Sequence, residues 1–134
     1  MSPAVQLLIV EDDADTRFLI ESVLRTEGFE VTAADGAERA LEVLASGTFD
    51  LVLTDYKLGT MDGVAFAREV WKRHPTLGLA VLSGARGLGP QAWGSDPRLL
   101  AYFEKPVYDL RKLARTLRDA HAAYRVRVGS ESRG

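Results

Sequence analysis

Four apolar runs in this 134-residue chain each end on a side chain able to do chemistry. "VQLLIV" (Val5–Val10) stops at Glu11, Asp12 and Asp13, and "DLVLT" (Asp50–Thr54) stops at Asp55. "LGLAVLS" (Leu77–Ser83) ends on Ser83, and "LAYFE" (Leu100–Glu104) is followed by Lys105 and Pro106. Carboxylates that converge repel, so at least one is pushed toward its protonated form unless a cation neutralises the group. Oxygen-only donors suit a hard cation: Mg2+ takes one or two protein carboxylates, keeps waters and accepts oxygens from a phosphate. A carboxylate left free can attack phosphorus and form an acyl phosphate. A lysine then offsets charge on the transferring group while a hydroxyl orients it. The plainer reading of Asp55, a cap for the turn after a strand, leaves the other acids and Lys105 without a purpose.

The elements that must position these groups follow from the hydrophobic pattern. Short uninterrupted apolar runs read as strands buried on both faces. Asp15 to Glu27 reads as a helix with Phe18, Leu19, Val23 and Leu24 on one face and Gly28 at its end. "FEVTAA" (Phe29–Ala34) is strand-like, and Gly36–Gly47 is an amphipathic helix rich in good helix formers. Asp62 is placed to cap a helix over Val64–Arg73, which carries Phe66, Ala67, Val70 and Trp71 and ends at His74-Pro75. A last helix, Val107–Val126, has Leu110, Leu113 and Leu117 on one stripe. Residues 127–134 read as a flexible tail or the start of a linker, leaving a single domain over 1–126.

Strands alternating with helices imply right-handed crossovers and a parallel sheet covered on both faces. The carboxyl ends of such strands share one edge, where ligands bind. Glu11, Asp12, Asp55, Ser83 and Lys105 are therefore expected on that edge. Ser83–Leu100 breaks the rhythm with Gly84, Gly87, Gly89, Pro90, Gly94 and Pro97. Each interior glycine costs about 1 kcal/mol against alanine, and a mid-helix proline about 3 kcal/mol. The spacing predicts a short or disordered helix there, of one or two turns starting at Pro90. Trp71 and Trp93 read as packing residues.

Composition narrows the function classes. Hydrophobic residues make up 46% and charged residues 27%, so the chain can bury a core of ordinary size. The formal charge of −2 offers no basic field for nucleic acid or a membrane surface. Cysteine is absent, which removes disulfides and thiolate chemistry, and the only histidines are His74 and His121. No apolar run approaches the ~20 residues of a membrane helix. The expected location is the cytoplasm.

"LLIVEDDAD", "DLVLTDYKLGTMDG", "AVLSG" and "AYFEKP", in this order and spacing, resemble the receiver domain of bacterial two-component response regulators, over roughly Val5 to Tyr124. The resemblance implies a flavodoxin-like fold, a doubly wound five-stranded parallel sheet of strand order 2-1-3-4-5. It implies Mg2+ held by Glu11, Asp12, Asp55 and the backbone carbonyl of Lys57, with Asp12 the more direct ligand, and Asp13 outside the acidic pair, starting the loop or capping the helix. Asp55 matches the phosphoacceptor; Ser83 and Lys105 match the residues that contact the phosphoryl group; Ser83 and Tyr102 match the switch pair. The Lys105–Pro106 bond is expected to be cis. The implied partners are a histidine kinase or phosphotransfer protein, and a downstream protein bound through the fourth-helix, fifth-strand and fifth-helix face. Self-phosphorylation from a small phosphodonor and self-dephosphorylation, both Mg2+-dependent, are expected rather than classical enzyme turnover.

Three departures stand out. Gly59 occupies a place where the family often has proline, which predicts a looser loop. Lys57 and Ala85, each two residues beyond a site residue, pair a long cation with a small neighbour. The glycine-rich fourth segment is the largest departure and motivates an alternative, a constitutive protein-interaction module with a receiver fold. A phosphatase of the haloacid-dehalogenase type also uses a strand-tip aspartate, but it needs a second aspartate where this chain has Lys57. A flavin carrier of similar layer order would need a phosphate-cradling loop that the acidic strand ends lack.

Overall fold

The computed structural model describes residues 4–59, 61–84 and 96–133, with side chains to residue 128. Strands β1 (Gln6–Val10), β2 (Glu30–Ala34), β3 (Leu51–Asp55), β6 (Gly78–Ser83) and β7 (Leu99–Glu104) form one parallel sheet in the order β2-β1-β3-β6-β7. This is the 2-1-3-4-5 order of the domain, because β4 (Lys57–Leu58) and β5 (Met61–Asp62) pair only with each other. Helices α1 (Ala14–Thr26), α2 (Ala37–Ser46), α3 (Gly63–Arg73) and α4 (Leu110–Arg133) complete the described elements.

Strand side chains alternate between faces, and the core divides accordingly. Leu8, Val10, Val52, Leu79 and Val81 face Ala40, Leu44, Phe66 and Val70 of α2 and α3. Leu7, Ile9, Leu51, Leu53 and Leu82 face Ile20, Leu24, Leu113 and Leu117 of α1 and α4. Continuous apolar runs are thus required in the central strands, since both faces are covered. Trp71 is a packing residue, as its sequence context predicts. It lies half-buried against the first layer, its indole N–H donates to the Leu77 carbonyl at 2.8 Å, and the Arg98 guanidinium stacks 4.3 Å from its ring. At the start of β6, a Cβ on Gly78 would sit 2.7 Å from Leu100 Cδ1 and 3.2 Å from its Cγ. Gly78→Ala is expected to cost about 2 kcal/mol in urea denaturation. A cost near zero would mean that Leu100 moves aside freely.

Several expectations change. Phe18 and Leu19 do not face the core: they are 72% and 55% exposed, while Ile20 and Leu24 are buried. Ile20 and Leu24, four apart, share one helix face, and residues adjacent in sequence turn away from it by about 100° each. The helix is held in that rotation at its start by Asp13, which caps it, and by Arg17, which donates to loop carbonyls. The last helix starts at Leu110, where Asp109 caps it by accepting from the Lys112 N–H at 3.0 Å, and it runs on to Arg133. Residues 127–133, expected as a tail, extend the helix because a single glycine costs too little to stop one without a following proline. Gly59 has φ of 77°, a conformation closed to proline, in the turn between β4 and β5. The short helix expected from Pro90, and Trp93, fall within 85–95, outside the described residues.

Candidate functional site

β1 and β3 are neighbours, with Val10 opposite Thr54, so the residues that follow them emerge side by side at the carboxyl edge. One carboxylate oxygen from each of Glu11, Asp12 and Asp55 lies within 4.8 Å of the others. Glu11 is fully buried, Asp55 nearly so, and Asp12 is exposed. β7 delivers Lys105 to the same edge, where its Lys105 N–H donates to the Ser83 carbonyl at 2.7 Å. Its ammonium bonds Glu11 Oε1 at 2.5 Å and Asp55 Oδ2 at 3.0 Å. The Lys105–Pro106 bond is cis, as the resemblance implies.

Burial pushes the Glu11 carboxyl up from 4.5 to about 7; the bond to Lys105 opposes this, and the Asp55 charge adds to it. Burial also pulls the Lys105 ammonium down, but its hydrogen bonds to Glu11 and Asp55 outweigh that and leave it above its ordinary value. The donor set fits Mg2+: three carboxylates converge, one of them exposed and able to reach a hydrated ion, with no sulfur or imidazole among them. Between about 4.5 and 7 the folded chain holds a proton on Glu11 that the unfolded chain has lost, so this group makes stability fall as pH rises across that window. A cation relieves the penalty only once Glu11 is ionised. The rise in melting temperature with Mg2+ is therefore expected to be larger at pH 8 than at pH 6; an equal or smaller rise at pH 8 would contradict it.

The remaining predicted residues are distributed around this cluster. Ser83 is buried at the end of β6, opposite Glu104 of β7 and one residue past Leu82, the partner of Asp55. Its hydroxyl donates to the neighbouring Gly84 carbonyl at a long 3.4 Å. Tyr102 sits two residues inside the edge on β7, opposite Val81 and half-buried against the α2–α3 layer. Lys57 is exposed on β4, with Asp62 opposite it. Asp13 caps α1, accepting from the Thr16 amide at 2.8 Å and its hydroxyl at 2.6 Å, and these bonds hold its carboxyl below the usual range. Asp62 caps α3 through the Ala65 N–H at 2.8 Å.

One contributor was not foreseen. The Arg17 guanidinium donates to the Glu11 carbonyl at 2.8 Å and reaches that of Asp12 at 3.5 Å, tying the first turn of α1 to the loop that carries both acids. In the sequence it reads as a solvated helix charge, and only its place four residues after the Asp13 cap hints at more. Beside Lys105 a largely apolar groove of about 420 Å3, lined by Leu19, Ile20, Pro106, Val107 and Leu110 among others, borders the edge. Leu19, which lines it, is 55% exposed, and Phe18 and Tyr108, next in sequence to lining residues, are exposed as well.

Comparison with known proteins agrees with this geometry. Residues 7–118 match the family model described as the response regulator receiver domain. The transcriptional regulatory protein ZraR of Klebsiella oxytoca is 30% identical over 122 residues, covering 91% of this chain and 27% of its own length. The DNA-binding transcriptional regulator NtrC of Escherichia coli K12 is 30% identical over 98 residues, covering 73% of this chain and 21% of its own. The chain thus spans about a quarter of the length of these relatives. A CheY-like receiver domain from Methanospirillum hungatei superposes with a TM-score of 0.83 at 26% identity, covering 92% of this chain and 98% of that one.

Proposed function

Because the chain belongs to the response regulator receiver domain family, we propose that it is a phosphorylation switch whose acceptor is Asp55. The observation that carries this reading is the convergence of Glu11, Asp12 and Asp55 with a lysine bonded to two of the three. A carboxylate oxygen of Asp55 forms the new O–P bond while the bond from phosphorus to the donor's histidine nitrogen breaks, its electron pair returning to that nitrogen. Glu11, Asp12, Asp55 and the Lys57 carbonyl would hold Mg2+, which supplies charge neutralisation for the phosphoryl oxygens. Lys105 exchanges one carboxylate contact for a phosphoryl oxygen and keeps Glu11 as its anchor. The Ser83 hydroxyl, held only by a long bond, turns to the phosphoryl group, and Tyr102 repacks behind it.

The donor is a histidine kinase or phosphotransfer protein, which docks on the apolar groove lined by Leu19, Ile20, Pro106 and Val107 beside Lys105. The output is a protein partner that reads the surface running from Gly84 through β7 to Leu117 on α4. A formal charge of −2 gives this domain itself no field for nucleic acid. No helix among the described residues is long and apolar enough to cross a membrane, and a cytoplasmic kinase module is the fitting donor. A second reading, a constitutive interaction module, is favoured by the glycine-rich composition of the segment that begins at Gly84, the largest departure from the family's pattern.

Incubation with acetyl phosphate and Mg2+ separates the two. Phosphorylation adds the mass of one phosphoryl group, removable by neutral hydroxylamine and prevented by EDTA. Unchanged intact mass with Mg2+ present would overturn the switch reading and leave the interaction module.

A further inference from the structure

The opposite edge of the sheet carries a second cleft, of about 700 Å3, between the α2–β3 loop, the α3–β6 loop and the overhanging second half of α4. Both histidines of the chain line it. His121 is 4% exposed, and neither of its ring nitrogens has a hydrogen bond among the described residues. A buried polar group left unsatisfied costs about 1–3 kcal/mol, so a partner beyond the described residues is called for. A metal ion is not the answer: among the described residues the only converging donor group is Glu11, Asp12 and Asp55, and Asp50, the acid in this cleft, accepts from the Gln6 N–H at 2.9 Å.

The charges at the rim point elsewhere. Arg73 and Arg125 line the cleft, and no carboxylate pairs with either among the described residues. Arg127 borders the adjoining cleft, continuous through Pro75, Thr76, Tyr124 and Val128. The carboxyl ends of α2 and α3 open here too, each with about half a negative charge. Three guanidinium groups exceed those dipoles and Asp50 together. Leu44, Leu77 and the buried Tyr124 supply an apolar wall, and the volume lies within the range of small-molecule sites, about 300–1,000 Å3.

We infer that this cleft binds a small organic anion, a phosphoryl or carboxylate group carried on an apolar body, with the anion between Arg73 and Arg125 and His121 hydrogen-bonded to it from the floor. The extended α4 forms one wall, so occupancy would steady the helix that also packs behind the phosphorylation edge. The site is separate from the acidic edge and does not rest on its being phosphorylated.

Phenylphosphonate tests this, because its carbon–phosphorus bond cannot donate a phosphoryl group to Asp55. In a metal-free NMR titration the His121 and Tyr124 ring signals and the Thr76 amide are expected to shift saturably. The His121 titration midpoint, held low in the free protein mainly by burial, should rise in the complex. Arg73→Gln and Arg125→Gln should each weaken affinity about tenfold, the loss of one charge-assisted hydrogen bond. Phenylacetate run in parallel distinguishes the sources: binding of both assigns the site to anions at large, binding of phenylphosphonate alone to phosphoryl groups. Shifts matched by sodium chloride at equal ionic strength, shifts confined to Glu11, Asp12 and Asp55, or arginine variants of unchanged affinity would each overturn the proposal.

Discussion

Asp55→Asn is expected to reduce phosphoryl incorporation from acetyl phosphate by at least about a thousandfold, the scale seen when a nucleophile is removed from an assembled site. The fold should survive, because the amide fills the same space at the tip of β3. The variant also has a signature that mere loss of activity does not. The Asp55 charge is one of the causes that raise the Glu11 carboxyl to about 7, so its removal should lower the Glu11 midpoint. Burial is the larger cause, so the midpoint should remain above 4.5. Carboxyl-carbon NMR titration of Glu11 reads this directly. An unchanged midpoint would mean that the two acids do not sense each other, and residual phosphorylation at the wild-type rate would move the acceptor elsewhere.

Lys105→Met should be costly for stability as well as for signalling. Among the described residues the lysine is the only cation bonded to the Glu11 carboxylate, whose side chain is fully buried. Removing one partner of a buried pair typically costs about 3–5 kcal/mol; Lys105 is 26% exposed and water can reach part of the site, so about 2–3 kcal/mol is expected at pH 8. The cost should shrink at pH 6. Without the ammonium the Glu11 carboxyl rises further above about 7, and at pH 6 it keeps its proton in the folded chain, so Glu11 adds no uncompensated charge and only the lost Asp55 contact remains. Urea denaturation of both proteins at the two pH values gives the comparison. A penalty independent of pH would show that the lysine acts through packing rather than charge.

Much of this arrangement is legible in the sequence because the central strands must be apolar on both faces and can admit polar groups only where they end. "LLIV" before Glu11 and "LVLT" before Asp55 therefore mark both the strands and the edge. The caps Asp13 and Asp62 are equally readable, since a carboxylate three residues before an unpaired helical N–H has one obvious use. Rotation of α1 is not readable in this way. An apolar side chain on a helix need not be inside, and Phe18, Leu19, Ile20 and Leu24 offer more than one possible stripe. Arg17 decides among them by a bond to loop carbonyls that no periodicity reveals. The meeting of His74 and His121 depends on the length of α4 and on two loops distant in sequence, so spacing alone suggests isolation where the fold brings them to one cleft.

An amide NMR titration with Mg2+ followed by beryllofluoride tests most directly whether the acidic edge is a working switch. Mg2+ should shift signals near Glu11, Asp12 and Asp55, and beryllofluoride should spread the shifts to Ser83, Tyr102 and the segment beyond Gly84. A spectrum unmoved by both reagents would contradict the account.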